Sequence, residues 1–243
     1  MTEREPTAPD GQAADHPADQ SADARRKVER PGASKAAPAG ADLPPPFLFL
    51  RHGETDWNVE GRCQGQLDIA LNALGRAQAE RAAEALATAS ISRIVSSPLR
   101  RARNTADAVA RLRGMSVEED PGLKEVHLGA HQGELHAGWT PDFWRGRYDP
   151  PAGERRDMFY ERSVTAILRN AARGPDVLIV AHGGLWRALR TWVSLDLEVP
   201  RMPNAIPIRV TPAPGAWRVE PLLPLPEVLQ GGEIFGDVDG GAP

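Results

Sequence analysis

The chain has 243 residues and a formal net charge of −4, with 41% hydrophobic and 26% charged residues. This length predicts one domain, or one domain with a tail, and the composition is that of an ordinary globular protein. With so small a net charge, nothing at the level of the whole chain argues for nucleic acid or an anionic membrane surface as a partner, and we expect neither.

Residues 1–45 differ in composition from the rest of the chain. Val28 is their only branched aliphatic residue before Leu43, and they contain no aromatic residue. Such a segment cannot bury enough apolar surface to offset its ordering entropy, so we predict a disordered N-terminal tail. A globular domain is predicted over 46–222, and a loosely held Pro- and Gly-rich tail over 223–243.

The first predicted elements of the globular part alternate between strands and helices. Phe47–Leu50 is continuously apolar, as in a strand that is covered on both faces. Asn72 is placed to cap a helix running to about Ala89, and Ile94–Val95 predicts a second strand. Ser97-Pro98 predicts an N-cap followed by proline at the first helical position. The helix after it has an apolar stripe of Leu99, Ala102, Ala106 and Val109.

The second half of the chain continues this alternation. We expect Val126–Leu128 to be extended and Thr140–Arg156 to be irregular. A helix with the buried stripe Val164, Ile167, Leu168 and Ala171 follows. Val177–Ala181 is the clearest strand, and the helix after it carries Leu185, Ala188, Leu189 and Trp192. Ile206–Val210 and Trp217–Val219 predict two late strands. The order of elements indicates an α/β domain with a mainly parallel sheet.

Two histidines stand at the ends of predicted strands. His52 follows the strand at Phe47–Leu50, and His182 follows the strand at Val177–Ala181; each is followed by glycine. Because ligands of open α/β sheets bind beyond the carboxyl ends of the strands, we expect both imidazoles to face one crevice. The glycines would let backbone approach a ligand there. A single histidine in such a place could equally be an ordinary half-buried residue.

Two arginines fit the same crevice. Arg51 precedes His52 directly, and Arg101 lies one turn after the predicted Ser97-Pro98 cap, near a helix N-terminus that favours anions. Two guanidinium groups beside two imidazoles predict a site for a compact, multiply charged anion, of which phosphate is the obvious candidate.

An imidazole can also accept a phosphoryl group as a nucleophile, and it must then be neutral. Nearby cations lower the pKa of histidine and so favour the neutral form. The leaving alcohol needs a proton donor, for which Glu125 is one candidate. The same carboxylate could equally be an ordinary surface group.

Four motifs together resemble the histidine phosphatase superfamily, also called phosphoglycerate-mutase-like. The resemblance covers about Phe47 to Val219 in family order. The motifs are Arg-His-Gly-Glu-Thr at 51–55 with Asn58 and Gly61-Arg-Cys-Gln-Gly65, Ser96-Ser-Pro-Leu-Arg-Arg-Ala-Arg-Asn-Thr-Ala106, Leu123-Lys-Glu125 with Gly129 and Gly133, and Val180-Ala-His-Gly-Gly184.

The resemblance implies a fold and a set of roles. The fold would be a three-layer α/β/α sandwich. His52 would become a phosphohistidine, with the phosphoryl oxygens held by Arg51, Arg101 and His182. Glu125 would protonate the leaving oxygen and then help to activate water. The remaining pocket residues would be Asn58, Gln64, Gly65 and Gly183. No cofactor and no metal is implied, and the partner would be a small phosphorylated molecule; a homodimer is left open.

The chain departs from the family pattern at two places. His131 stands where the family often has an aromatic residue. The family's frequent Gly-Gly-Glu-Ser is here Ala152-Gly-Glu-Arg155, which retains Glu154 and loses the serine. These changes concern substrate choice rather than phosphoryl transfer. A structural metal at His127, His131 and His136 is a weaker alternative, because their spacing matches no known ligand pattern.

Three functions fit these residues. The first is a metal-independent phosphomonoester hydrolase. The second is a phosphoglycerate mutase-type transferase, whose family members carry a long lysine-containing insertion that excludes water. Since no lysine follows Lys124, hydrolysis is favoured. The third is a non-catalytic phosphate-binding module.

The substrate is not named by the sequence. Residues 134–160 are expected to form the lid that selects it, and their aromatic and arginine side chains suit an apolar or anionic substrate body. The same aromatic residues could also be ordinary core. They include Trp139, Phe143, Trp144, Phe159 and Tyr160.

Overall fold

A computed structural model describes residues 43–193, 202–214 and 217–225. The two predicted tails therefore lie outside the described residues, apart from 43–45 and 223–225. None of the helices found in the described ranges is both long enough and apolar enough to cross a membrane.

The described residues form six strands and six α-helices, with short 3-10 helices at Pro121–Leu123 and Gly129–His131. The strands are β1 (Phe47–Arg51), β2 (Arg93–Ser96), β3 (Val117–Glu119), β4 (Val177–Ala181), β5 (Ile208–Thr211) and β6 (Arg218–Pro221). The helices are α1 (Asp56–Val59), α2 (Ala73–Ala85), α3 (Arg100–Arg113), α4 (Trp139–Trp144), α5 (Arg156–Ala171) and α6 (Gly183–Val193).

The strands form one mixed sheet in the order β3-β2-β4-β1-β5-β6. The pairs β3–β2, β2–β4 and β4–β1 are parallel, whereas β1–β5 and β5–β6 are antiparallel. The predicted α/β class with a mainly parallel sheet is confirmed, and the antiparallel pairs are confined to one edge.

Alternation along β1 shows how the sheet is covered. Phe47 and Phe49 pack into a core that includes residues of α5 and α6. Leu48 and Leu50 point to the other face, into a core built with α2 and α3. All four side chains are fully buried. Helices therefore cover both faces, which confirms the three-layer sandwich and explains why β1 is apolar at consecutive positions.

Two predicted helix ends were wrong. α2 is capped by Asn72 as predicted, but it ends at Ala85 rather than near Ala89. At this end Nη1 of Arg113 donates to the carbonyl oxygens of Leu86 and Ala87, at 2.9 and 2.6 Å. The chain then continues to β2. α3 begins only at Arg100, with Leu99 as N-cap and no side-chain cap bond.

Three other segments differ from the sequence predictions. The segment predicted as irregular contains the helix α4, and Val126–Leu128 is in no strand. β3 was not predicted, because its Val-Glu-Glu sequence has one apolar residue and no alternation to detect. The late strands exist, with bounds shifted to those of β5 and β6.

Candidate active site

The strand register brings the two histidines to the same edge of the sheet. Arg51 pairs with Ala181 at the carboxyl ends of β1 and β4, and the backbone N–H of His52 donates to the carbonyl of Ala181 at 3.0 Å. The rings of His52 and His182 consequently lie with their centroids 5.2 Å apart. The predicted convergence of the two imidazoles is confirmed.

The tautomer of His52 follows from its hydrogen bond. Nδ1 lies 2.7 Å from the carbonyl oxygen of Gly53, and a carbonyl can only accept, so Nδ1 carries the proton. Nε2 of the neutral ring is then left with its lone pair. The next residue is fixed as well, because the N–H of Gly53 donates to Thr105 Oγ1 at 3.0 Å.

His182 is held through Ser97. Its Nε2 lies 2.8 Å from Ser97 Oγ, which also accepts the N–H of Leu99 at 3.3 Å. The other ring nitrogen, Nδ1, is buried without a hydrogen-bond partner in the described structure. Ser97 therefore orients a site residue, which is why it does not cap α3 as predicted.

Arg101 is completely buried. Its Nη1 and Nη2 donate to the carbonyls of Leu67 and Gly65 at 2.8 and 2.7 Å, and its Nε is buried without a partner. It forms no ion pair with any described residue. Burial lowers its pKa to about 10, partly offset by the nearby charge of Glu125. A buried cation of this kind is costly unless an anion binds to it.

Arg51 completes the cationic part of the site. Its Nη1 donates to the carbonyl of Met202 at 2.8 Å, and its Nε is buried without a partner in the described structure. The guanidinium lies against Gly183, with Nε 3.6 Å from where a Cβ on that glycine would be. Burial also lowers the pKa of Arg51, against the opposing charges of Glu125 and Glu54.

Glu125 reaches the first turn of α6. Its carboxylate accepts the N–H of Val126 at 2.9 Å and that of Gly184 at 3.1 Å. A Cβ on Gly184 would lie 2.2 Å from Oε1 of Glu125, so only glycine permits this approach. Gly184 therefore makes room for the carboxylate of Glu125. Gly53 is similarly close to the backbone of Gly75, because a Cβ on Gly53 would lie 2.3 Å from the carbonyl oxygen of Gly75.

The predicted pocket residues have different surroundings. The side-chain oxygen of Asn58 accepts the N–H of Thr55 at 3.1 Å in a capping box of α1. Asn204 links it to the site, because its amide donates to the carbonyl of His52 at 2.9 Å and lies 3.4 Å from Asn58 Oδ1. Gln64 is buried, and its amide oxygen has no described partner.

The two departures from the family pattern have structural explanations. His131 stacks on Trp139 with a centroid distance of 4.3 Å, so a flat ring is still present there. Glu154 binds the guanidinium of Arg162 through both carboxylate oxygens at 2.8 Å. Arg155, at the position of the lost serine, pairs at the surface with Asp157.

Two aromatic residues of 134–160 belong to the core, and the others pack against it. Phe143 and Phe159 are completely buried, and Trp139, Trp144 and Tyr160 pack against the same cluster. Two arginines cover the partly buried rings: Arg187 lies 4.8 Å from the ring centre of Trp144, and Arg156 lies 5.2 Å from that of Tyr160. The reading of these aromatic residues as core is therefore correct for Phe143 and Phe159.

The three histidines of the metal alternative are bound to separate partners. Nδ1 of His131 lies 2.6 Å from Glu134, Nδ1 of His136 lies 3.4 Å from Cys63 Sγ, and Nδ1 of His127 accepts the N–H of Gly129. In the part of the chain that the structure describes, no group of three or more histidine, cysteine or acidic side chains is arranged to hold a metal ion.

Burial and cations act together on both site histidines. The pKa of His52 and that of His182 lie well below 6.5, first because both rings are desolvated and second because Arg101 is close. Both imidazoles are therefore neutral at neutral pH, the form in which an imidazole is nucleophilic.

These lowered pKa values predict that acid destabilises the protein already near pH 6. Below pH 6.5 the unfolded chain takes up protons on the two histidines and the folded protein does not, so the free energy of unfolding decreases. The stability that depends on the two histidines being neutral is complete above pH 6.5 and is lost as the pH falls toward their lowered pKa values. Urea unfolding at about pH 7.5 and about pH 5.5 measures it. A double variant, His52→Asn with His182→Asn, should lose most of this decrease; an unchanged decrease would assign it to other groups.

The geometry defines a class of site: a neutral imidazole with a free ring nitrogen, surrounded by donors that lack an anionic partner, at the carboxyl edge of an α/β sandwich. The model of the histidine phosphatase superfamily (branch 1) matches residues 47–222. The chain belongs to this superfamily.

Two relatives show how closely related enzymes are named. Glucosyl-3-phosphoglycerate phosphatase of Mycobacterium tuberculosis (strain CDC 1551 / Oshkosh) is 41% identical over 175 residues, which cover 65% of this chain and 78% of the relative. The metal-independent phosphoserine phosphatase of Arabidopsis thaliana is 35% identical over 173 residues, 65% of this chain and 73% of the relative. These names support phosphatase activity.

A solved structure agrees with the fold. It is that of a mycobacterial glucosyl-3-phosphoglycerate phosphatase with VO3, with a TM-score of 0.62 at 35% sequence identity. The match covers 73% of this chain and 98% of that one.

Several residues around the site were not predicted. Ser97, Met202 and Asn204 bind groups of His182, Arg51 and His52, respectively, and Thr105 binds the backbone N–H of Gly53, as described above. Ser97 and Thr105 lie within a recognised motif, which could have suggested a role. Met202 contributes a backbone carbonyl, which leaves no trace in the sequence, and nothing near Asn204 distinguishes it.

Proposed function

We propose that this protein hydrolyses phosphomonoesters through a phosphohistidine on His52. The observation that carries the proposal is the pairing of a neutral His52, whose Nδ1 donates to Gly53, with the buried Arg101 and the partly buried Arg51, neither of which has a described carboxylate partner. A dianionic phosphoryl group supplies what the cations lack, and its phosphorus would lie within reach of Nε2.

The proposed reaction has two steps. In the first, Nε2 of His52 forms a bond to phosphorus, the bond to the ester oxygen breaks, and the carboxyl group of Glu125 gives its proton to the departing alcohol. In the second, water attacks phosphorus, the nitrogen–phosphorus bond breaks, and Glu125 takes the proton from the water. Inorganic phosphate leaves, and both residues return to their starting forms.

The remaining site residues stabilise the phosphoryl oxygens or line the pocket. Arg51, Arg101 and Nδ1 of His182 would donate to the oxygens on which charge develops. Asn58, Gln64, Gly65 and Gly183 would form the adjacent wall. As parts of the same proposal, we infer a cytoplasmic location, which fits a chain with a single cysteine, and a small phosphorylated molecule as the partner, with neither nucleic acid nor membrane.

Release of phosphate to water separates the proposal from its alternatives. We expect the purified protein to release inorganic phosphate from p-nitrophenyl phosphate at a rate that EDTA leaves unchanged. A mutase would instead interconvert 2- and 3-phosphoglycerate faster than it releases phosphate, and a binding module would do neither. Because of the 41% identical relative, glucosyl-3-phosphoglycerate is the first compound to test among phosphorylated metabolites.

The role of Glu125 predicts a dependence on the leaving group. Glu125→Gln cannot donate a proton, so kcat/KM on glycerol 3-phosphate, which reports the first step alone, should fall by about 10²- to 10⁴-fold because the leaving group is a basic alkoxide. On p-nitrophenyl phosphate, whose leaving group needs no proton, the loss of kcat/KM should stay under about tenfold. Glu119→Gln, which removes a surface ion pair with Arg103, is the control. Equal losses on both substrates would contradict proton donation by Glu125.

A further inference from the structure

Glu125 lies in a segment without regular structure, between the 3-10 helices Pro121–Leu123 and Gly129–His131. We infer that Arg162 and Glu154, here called the Arg162–Glu154 clamp, are positioning residues for Glu125. Since the role of Glu125 belongs to the function proposed above, this inference rests on that proposal.

Arg162, on α5, binds the backbone of this segment directly. Its Nη1 donates to the carbonyls of Gly122 and Lys124, both at 2.9 Å, and its Nη2 lies 3.3 Å from the carbonyl of Glu125. One planar guanidinium therefore fixes three carbonyl groups around the proposed acid. Lysine, with a single charged nitrogen, cannot reproduce this set of bonds.

Glu154 holds the guanidinium and continues the same network. It binds Nε and Nη2 of Arg162 side-on, each at 2.8 Å. One of its oxygens also accepts the N–H of His127 at 2.9 Å, and its own N–H donates to the carbonyl of His127 at 2.7 Å. The clamp thus holds the backbone before and after the proposed acid.

An aromatic ring also restrains the plane of the Arg162 guanidinium. The guanidinium of Arg162 lies 5.3 Å from the ring centre of Phe159, which is fully buried. The exposed fractions of the Arg162 and Glu154 side chains are 26% and 21%. A bidentate, partly desolvated pair of this kind is more rigid than an exposed one.

A second element holds Glu125 from the other side. Nε2 of Gln66 donates to the carbonyl of Glu125 at 3.0 Å, so this carbonyl lies between Gln66 and Arg162. The carboxylate itself meets only the N–H groups of Val126 and Gly184 among the bonds described. The clamp does not contact the carboxylate, and it can influence proton transfer only by fixing the backbone from which that carboxylate projects.

Arg162→Lys tests this inference. Displacement of a proton donor by about 1 Å costs about 10²-fold in rate, so we expect kcat/KM on glycerol 3-phosphate, which reports the first step of the proposed reaction alone, to fall by between about ten- and a hundredfold. On p-nitrophenyl phosphate the loss of kcat/KM should stay under about threefold, because the first step with that leaving group does not need the proton. Glu154→Gln should give the same pattern with a smaller loss. KM for p-nitrophenyl phosphate should stay unchanged, since Arg51 and Arg101 are untouched.

Arg169→Lys is the matched control. Arg169 lies on the same helix and binds Asp120, which caps the 3-10 helix preceding Glu125, but it makes no described contact with Glu125. Arg169→Lys should leave the rates on glycerol 3-phosphate and on p-nitrophenyl phosphate within about twofold of wild type. If Arg162→Lys lowers the two rates equally, or lowers neither, the clamp does not position Glu125.

A double variant separates this inference from the proposed function. If the clamp acts through Glu125, Arg162→Lys should have no further effect on glycerol 3-phosphate hydrolysis once Glu125→Gln is present. Additive losses would overturn the inference, whereas a Glu125→Gln variant without leaving-group dependence would overturn the role of Glu125 itself. Should Arg162→Lys fail to fold, Glu154→Gln in the same cycle decides the question.

Discussion

Replacement of His52 by alanine is expected to lower kcat on p-nitrophenyl phosphate by at least about 10⁴-fold. The covalent step then has no nucleophile, and a water molecule in its place would lack the fixed position of Nε2. His52 is buried and neutral, so its loss removes little charge from the interior. We therefore expect the variant to remain folded and to bind phosphate through the two arginines.

His136→Ala is the control for the loss of an imidazole. His136 lies by Cys63, 3.4 Å from its sulfur, and has no proposed part in the reaction, so kcat should be retained. Mass spectrometry of the rapidly quenched wild type, kept at alkaline pH, should locate the phosphoryl group on His52. Substantial turnover in His52→Ala, or a phosphoryl group on another side chain, would show that the nucleophile has been misassigned.

The sequence predicted the centre of the site well because strand ends are easy to recognise and their spatial meaning is general. β1 and β4 are continuously apolar, and their parallel pairing at Arg51 and Ala181 places whatever follows them at the same edge. The histidines follow both strands directly. Their proximity was therefore a consequence of two local patterns and one rule about sheets.

The contacts that hold the site could not be predicted in the same way. Ser97 followed by proline has the pattern of a helix cap, and only the position of His182 determines that the hydroxyl binds an imidazole instead. Asn204 and Met202 reach β1 from a late loop. Such contacts join residues far apart in the chain, and their residue types carry no periodic pattern that a sequence could reveal.

The helix α4 and the Arg162–Glu154 clamp are two further features that the sequence did not predict. Trp139–Trp144 contains a proline and is too short for helical periodicity to appear, so composition indicated an irregular segment. Glu154 was recognised from the family motif and was connected with the pocket. Its partner, Arg162, lies eight residues further along the chain, within α5, and only the folded structure shows that the pair faces the segment of Glu125.

Arg101→Ala is expected to weaken the capture of phosphate by about 2–5 kcal/mol, the range for removal of one partner from a buried charged pair. Among the described residues this guanidinium is bound by carbonyl groups alone, and burial lowers its pKa to about 10. A phosphoryl group would supply the missing negative charge. Both kcat/KM for p-nitrophenyl phosphate and the inhibition constant of inorganic phosphate should change accordingly.

Thermal unfolding distinguishes a binding role of Arg101 from a structural one. Phosphate that binds the native state raises Tm by an amount that grows with the logarithm of its concentration over Kd, so wild type should be stabilised by phosphate and Arg101→Ala should not. Arg103→Ala, on the same helix but paired at the surface with Asp107 and Glu119, should keep the full shift. Because Arg101 has no described carboxylate partner, its replacement should cost more in phosphate affinity than in the stability of the free protein. If Arg101→Ala retains the phosphate-dependent shift, or changes kcat/KM by less than about tenfold, this guanidinium does not bind the phosphoryl group.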